Sequence, residues 1–202
     1  MIWLMDPTAF EPWLAPALFA AYIVVVTCKL TLTWLNIRHL KARGHEVPEA
    51  FSGLIDQEKL AKISAYTLDK AKLGVVERLY DSVIIMVFMF SGLLGWYATW
   101  VASLNVGFVG SGIAFFLILT WISSVLGVPF SLYSAFRLEN KYGFNTMTMA
   151  TWIADFVKSI ILSSILMGLL LVGAFALIHV CPKTWWIWVW LMFMGFTVTM
   201  MY

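Results

Sequence analysis

Residues 153–180 read IADFVKSIILSSILMGLLLVGAFALIHV, a run whose only charges, Asp155 and Lys158, stand near its start. About 20 mostly apolar residues cross the hydrocarbon core of a bilayer as a helix, and this run exceeds that length. Working outward, four more segments have the same character: 16–35, 82–102, 110–133 and 184–202. All five are expected to be helical, because unpaired backbone groups are too costly in hydrocarbon and no barrel-like alternation is present. The expected fold class is all-α: a polytopic membrane protein with about five transmembrane helices and one long amphipathic cytoplasmic loop at 36–81.

Composition agrees, since 62% of the 202 residues are hydrophobic and only 12% are charged, far from the balance of a soluble domain. The net charge of +2, with no cluster of Lys and Arg interleaved with aromatics, argues against a nucleic-acid partner. Cys28 and Cys181 lie in or beside apolar runs far apart in sequence, so they read as packing residues and not as a disulfide framework. The start, MIWLMDPTAFEPW, has no basic n-region and contains Asp6 and Glu11, so no cleavable signal peptide is expected. At the other end the chain stops at Tyr202 within apolar sequence, which reads as cut and not as finished.

The loop at 36–81 holds eight of the 13 basic residues and seven of the 11 acidic ones. Within it Leu60, Ile63, Tyr66, Leu68, Leu73, Val76 and Leu79 recur near helical spacing, with Lys59, Lys62, Asp69 and Lys70 elsewhere on the wheel. This pattern predicts a surface helix continuing into the second span. Arg137, Lys141 and Lys158 mark a second basic region, whereas the N-terminal tail and the second connection carry no basic residue. The N-terminus is therefore expected outside, with 36–81 and 134–150 cytoplasmic. Trp185, Trp186, Trp188 and Trp190 fit an interfacial aromatic belt.

Few catalytic constellations survive. His39 and His45 belong to the start of the first loop and His179 to the far end of the fourth span, so they cannot meet. HEVPE at 45–49 lacks the second histidine that a zinc-binding HExxH helix needs, with Glu49 in its place and Pro48 before it. No metal site is expected in this chain. GFVGSG at 107–112 reads as a flexible turn between the second and third spans, and Gly92 and Gly95 miss the GxxxG spacing by one residue. Lys29 is placed to snorkel toward the interface. Glu77 and Asp81 share a helix face, with Arg78, Lys70 or Lys72 as candidate partners, and Asp155 with Lys158 forms an i,i+3 pair. Such carboxylates either balance charge at the interface or line a polar cavity.

Between the third and fourth spans, PFSLYSAFRLENKYGFNTMT at 129–148 is similar to the signature of the type I CAAX prenyl endopeptidases, integral membrane zinc metalloproteases. The matching positions are Pro129, Phe130, Tyr133, Phe136, Glu139, Gly143, Phe144, Asn145 and Thr148. Residues 47–81, with Tyr66, Thr67, Lys70, Gly74, Glu77 and Asp81, resemble that family's first cytoplasmic loop, and WLNIRHL and DFVK add two shorter matches. Thr146 and Met149 depart from the family pattern, and Lys141 and Tyr142 replace its commoner residues conservatively.

The resemblance implies a chain that is the N-terminal membrane domain, 1–202, of such a protease, forming much of a water-filled intramembrane chamber. In the family a HExxH helix and a downstream glutamate bind zinc in a domain that follows the fifth span. No catalytic residue and no cofactor is then expected here, and the chain alone is expected to be inactive. Implied partners are membrane lipids, the catalytic zinc domain of the same chain, and a prenylated or membrane-associated peptide substrate, in a bacterial inner membrane or the endoplasmic reticulum. Candidate chamber or substrate-side residues are Glu77, Asp81, Arg137, Glu139, Phe144, Asn145, Asp155 and Lys158; Pro129, Phe130, Tyr133, Phe136, Gly143 and Thr148 are structural. Pro129 is expected to kink or end its helix, Gly143 to permit a tight turn, and Asn145 to bond the chain there. A stand-alone lipid- or isoprenoid-binding protein, a small transporter and a purely structural subunit are the competing readings.

Overall fold

Six α-helices account for nearly all of the computed structural model, which describes residues 13–44 and 56–201. They are α1 (Leu14–Arg43), α2 (Gln57–Phe90), α3 (Leu93–Ser103), α4 (Gly107–Tyr133), α5 (Met149–Val180) and α6 (Trp185–Met201). A π-helical stretch, Ser134–Glu139, follows α4 directly, and no strand occurs among the described residues. Asp6 and Glu11 of the N-terminal tail, the HEVPE string at 45–49, and Tyr202 lie outside the described residues. By length and hydropathy α1, α4 with its π extension, and α5 each suffice to cross a membrane, and α2 with α3 makes a fourth span if counted together. The 17 residues of α6 reach about 25 Å at 1.5 Å per residue.

The chain divides into two compact units: Met1–Ser91 with Leu132–Asn145, and Gly92–Ser131 with Thr146–Tyr202. In the first, α2 starts where the Asp56 carboxylate accepts the backbone N–H of Glu58 at 3.1 Å, an N-cap that satisfies one orphan donor. It then runs unbroken to Phe90, so the amphipathic surface helix and the beginning of the second span are one element, as the periodicity predicts. Helices α1 and α2 pair antiparallel: Phe19 meets Phe90 edge-on at 5.1 Å, the Arg78 guanidinium donates to Thr33 Oγ1, and Ser64 Oγ donates to the Gly44 carbonyl.

In the second unit α4 and α5 are antiparallel neighbours. Trp121 Nε1 donates to Ser164 Oγ at 2.8 Å, and Trp152 Nε1 to Ser131 Oγ at 3.1 Å. Tyr97 of α3 is buried against α4, its hydroxyl donating to the Phe115 carbonyl at 2.8 Å and its ring 4.9 Å from that of Phe115. These bonds matter because lipid tails are as apolar as leucine, leaving packing and interhelical hydrogen bonds to hold membrane helices together. Among the described residues, Tyr97, Val101 and Leu138 are the only buried apolar side chains. Leu162, Ile165 and Leu169 form an exposed stripe on α5, as expected of a surface whose solvent is hydrocarbon.

Three expectations need correction. The span expected at 82–102 is interrupted at Ser91–Gly92, where Gly92 takes φ +87°, a left-handed conformation that suits glycine. GFVGSG is not the turn but the opening of α4; the chain reverses at Leu104–Val106, where Asn105 adopts φ 52° and its side-chain amide donates to the Ser103 carbonyl. Pro129 does not end its helix. It sits inside α4, which passes into the π-helical stretch five residues later, a local adjustment of the kind that lets membrane helices accommodate proline.

Within GFVGSG, Gly112 serves packing instead. A Cβ on Gly112 would run into the far edge of the Phe175 ring of α5, so a side chain there requires Phe175 to give way. Gly112→Leu is expected to lower stability by about 1 to 3 kcal/mol through overpacking, read as a lower midpoint of thermal unfolding in detergent micelles. Combining it with Phe175→Ala is expected to recover part of the loss; an unchanged midpoint in Gly112→Leu would contradict this packing.

Candidate functional site

Within the first unit the segment after α4 folds back on α2, and the manner of its ending sets the geometry. Gly143 has φ +70°, its N–H donates to the Asn140 carbonyl at 3.0 Å, and the Phe144 N–H donates to the Glu139 carbonyl at 2.9 Å. This pair of bonds is a Schellman termination with glycine in the left-handed position. Gly143, not Pro129, therefore stops the helix, and the stop turns Tyr142 and Phe144 toward α2.

There they meet a small aromatic cluster. The Tyr66 ring lies edge-on to Tyr142 at 5.5 Å and to Phe144 at 5.0 Å, and the Lys62 ammonium stands 5.2 Å from the Phe144 ring centre. Lys70 caps the other side, donating to the Tyr66 hydroxyl at 3.3 Å.

One helical turn along, Asp69 collects three donors. Lys72 Nζ reaches Oδ1 at 2.8 Å, while Lys141 Nζ and the Tyr142 hydroxyl reach Oδ2 at 2.7 and 2.8 Å. Lys141 first, then Lys72 and the Tyr142 hydroxyl, hold the Asp69 carboxyl well below the usual carboxylate range, against a smaller opposing effect of burial. Asp69, followed by Tyr142, holds the Lys141 ammonium above its ordinary value. A charge-assisted clamp thus ties two segments 72 residues apart.

Beside the clamp opens a cleft of about 730 Å³, lined by Asp69, Lys72, Leu73, Val76, Tyr133, Arg137, Leu138 and Lys141. Its floor is apolar, with Leu138 buried, and its rim is cationic. Among the described residues no group of three or more His, Cys, Asp or Glu is arranged to hold a metal ion, and both cysteines are free thiols.

Of the residues singled out from sequence, Arg137 and Tyr133 line the cleft and Phe144 joins the aromatic cluster. Glu139 contributes its carbonyl to the Schellman turn, and Asn145 follows it. Phe130 lies in α4 and Phe136 in the π-helical stretch. Glu77 and Asp81 lie on α2 outside the cleft and form no ion pair with any described residue; Arg78 bonds to Thr33, Lys70 to Tyr66 and Lys72 to Asp69 instead. In the second unit Thr148 caps α5 by accepting from the Thr151 N–H at 3.2 Å, and Asp155 pairs with Lys158 at 3.8 Å on an exposed face. Asp69, Tyr142 and Lys141 were not singled out as site residues. Only the Asp69–Lys72 spacing was locally legible, since nothing in a single sequence announces a partner so distant.

Asp69's contribution to stability is whole above the ordinary carboxylate value near 4 and falls away as pH drops below it toward the depressed folded value. Lys141's contribution is whole below its ordinary value of about 10.4 and is lost as pH rises through the raised folded value. Wild-type protein is therefore expected to lose thermal stability between pH 5 and pH 3, approximately the range in which an ordinary carboxylate titrates, by more than Asp69→Asn does. Parallel profiles for the two proteins would refute the clamp. Gly143→Ala, which forces a Cβ into the left-handed region, is expected to cost about 1 kcal/mol, measured by the same unfolding assay.

With this geometry in place, comparison with known proteins gives a consistent picture. The family described as CAAX prenyl protease N-terminal, five membrane helices, matches residues 36–202. Its five membrane helices equal the number of spans expected from the sequence. "CAAX prenyl protease 1 homolog" of Arabidopsis thaliana is 33% identical over 145 residues, covering 66% of this chain and 34% of its own length. The protein of the same description from Oryza sativa subsp. japonica is 31% identical over 173 residues, covering 78% of this chain and 40% of its own length. The chain thus spans well under half the length of these curated relatives. The crystal structure of S. mikatae Ste24p superposes with a TM-score of 0.82 at 24% identity over 95% of this chain and 46% of that one, a likeness of fold.

Proposed function

We propose a function that proceeds from kinship: the chain belongs to the CAAX prenyl protease N-terminal family. In this reading it is the membrane domain of a zinc metalloendopeptidase that removes C-terminal peptides from prenylated or membrane-associated proteins, and it supplies wall to a water-filled intramembrane chamber. The observation that carries the reading is the family match over 36–202, together with a Gly143 turn clamped onto α2 where the motif and the first-loop match meet.

The described residues offer no zinc ligand set, so no step of peptide cleavage is assigned to them. Zinc, when bound in the whole protein, would polarise the scissile carbonyl and activate water, with its ligands supplied by a catalytic domain outside these 202 residues. This chain's own part is to position. Glu139 and the Phe144 turn present a polar, aromatic surface toward that domain and the entering peptide. Glu77 with Asp81, and separately Asp155 with Lys158, face water. The N-terminus lies outside, with 36–81 and 134–150 on the cytoplasmic side, following the distribution of basic residues.

The test is complementation. The 202-residue chain alone is expected to show no chelator-sensitive cleavage of a farnesylated C-terminal peptide. A fusion to the remaining portion of the Oryza relative is expected to show it, and Glu77→Ala or Asp155→Ala in that fusion is expected to reduce activity or folding yield. Zinc-dependent cleavage by the isolated chain, or a well-folded fusion without activity, would overturn the proposal.

A further inference from the structure

The cleft beside Asp69 has three features that together specify a ligand. Its first is charge. Lys72 and Lys141 are both committed to the Asp69 carboxylate, and that carboxylate is fully engaged by them and by Tyr142. Arg137, in contrast, lines the cleft, and its guanidinium makes no hydrogen bond or ion pair with any described residue, so that planar fork of donors is available to an oxyanion. The rim carries three cations against one neutralised anion, a field that attracts a negative group.

Its second feature is depth. The third apolar run ends at Tyr133, and Val76 stands six residues before Ser82, where the second apolar run begins. Six residues of helix rise about 9 Å, which places the cleft at the boundary where headgroups meet water. Its third feature is the path that leaves it. Val76, Leu79, Val83 and Val87 of α2 are exposed and recur at helical spacing, an apolar track of about 16 Å leading from the cleft along the span.

From these we infer that the cleft is a binding site for an anionic phospholipid, with its phosphate on Arg137 and an acyl chain along the Val76–Val87 track. Basic pockets between membrane helices take anionic headgroups in this way. A soluble phosphate shares the headgroup's chemistry but has no use for the apolar track, which is what favours the lipid. The inference goes beyond the proteolytic role and stands independently of it.

The probe is the 202-residue chain reconstituted in nanodiscs of phosphatidylcholine containing a minor fraction of phosphatidylglycerol, released into native mass spectrometry. Wild type is expected to retain one phosphatidylglycerol in preference to phosphatidylcholine. Arg137→Gln is expected to lower that preference about fivefold, the value of one basic side chain near a membrane surface. Arg137→Lys should keep most of it, and Arg43→Gln, at the end of α1 outside the cleft, should leave it unchanged. Leu73→Trp, which fills the cleft without altering charge, is expected to lower retention as well, so the inference stays testable if Arg137→Gln folds poorly. Equal retention of both lipids by wild type, or no loss in either cleft variant, overturns it. So does displacement of the lipid by inorganic phosphate alone, which would mark a soluble-anion site, or by a farnesylated peptide bearing a free carboxylate, which would mark a substrate site.

Discussion

Hydrocarbon offers a backbone no hydrogen bonds, and the rest of the molecule follows from that constraint. Inside the bilayer it is costly for a chain to stop being helical where a residue merely disfavours helix, because the alternative leaves several polar groups unpaired. Pro129 shows the balance. In water its missing donor and its ring are ample reason to end a helix, yet here α4 continues through it and adjusts with a π-helical stretch. The helix ends only at Gly143, where a Schellman turn satisfies the last carbonyls internally.

The same constraint explains why the two units use polar side chains as they do. Tryptophan and serine join α4 to α5, and a tyrosine joins α3 to α4, each donor meeting an acceptor supplied by a neighbouring helix. In the first unit the polar contacts are concentrated where helices leave the apolar runs, and there they become ionic. Asp69 is the centre of that region, and the cleft exists because clamping the 140s against α2 leaves Leu73, Val76 and Leu138 facing a space rimmed by cations.

Much of this was legible beforehand for physical reasons. Long apolar runs have one solution in a membrane, so the helical class and the approximate spans could be read from 153–180 and its counterparts. The continuity of the surface helix into the second span was legible because the apolar positions from Leu60 to Leu79 keep one period. The interruption at Ser91–Gly92 was not, because a single glycine in an apolar run serves equally as a packing residue, which is what Gly112 turned out to be. Pro129 misled because its propensity was learned in water. Tyr133 and Phe144 could be marked by motif and Arg137 as a charge within the same segment, whereas Asp69 could not: its meaning comes from Lys141 and Tyr142, which lie far along the chain.

That separation has a consequence for biosynthesis. Lys141 lies 72 residues after Asp69, so at about 5 to 20 residues per second the ribosome delivers the clamp's second half roughly 4 to 14 s after its first. Through that interval Asp69 has Lys72 as its nearest cation, while α3 and α4 are still being handed to the membrane. Closure of the clamp is therefore a late event that reports on earlier ones: it can occur only after the intervening helices have been inserted with the hand that returns residue 141 to the side where residue 69 waits.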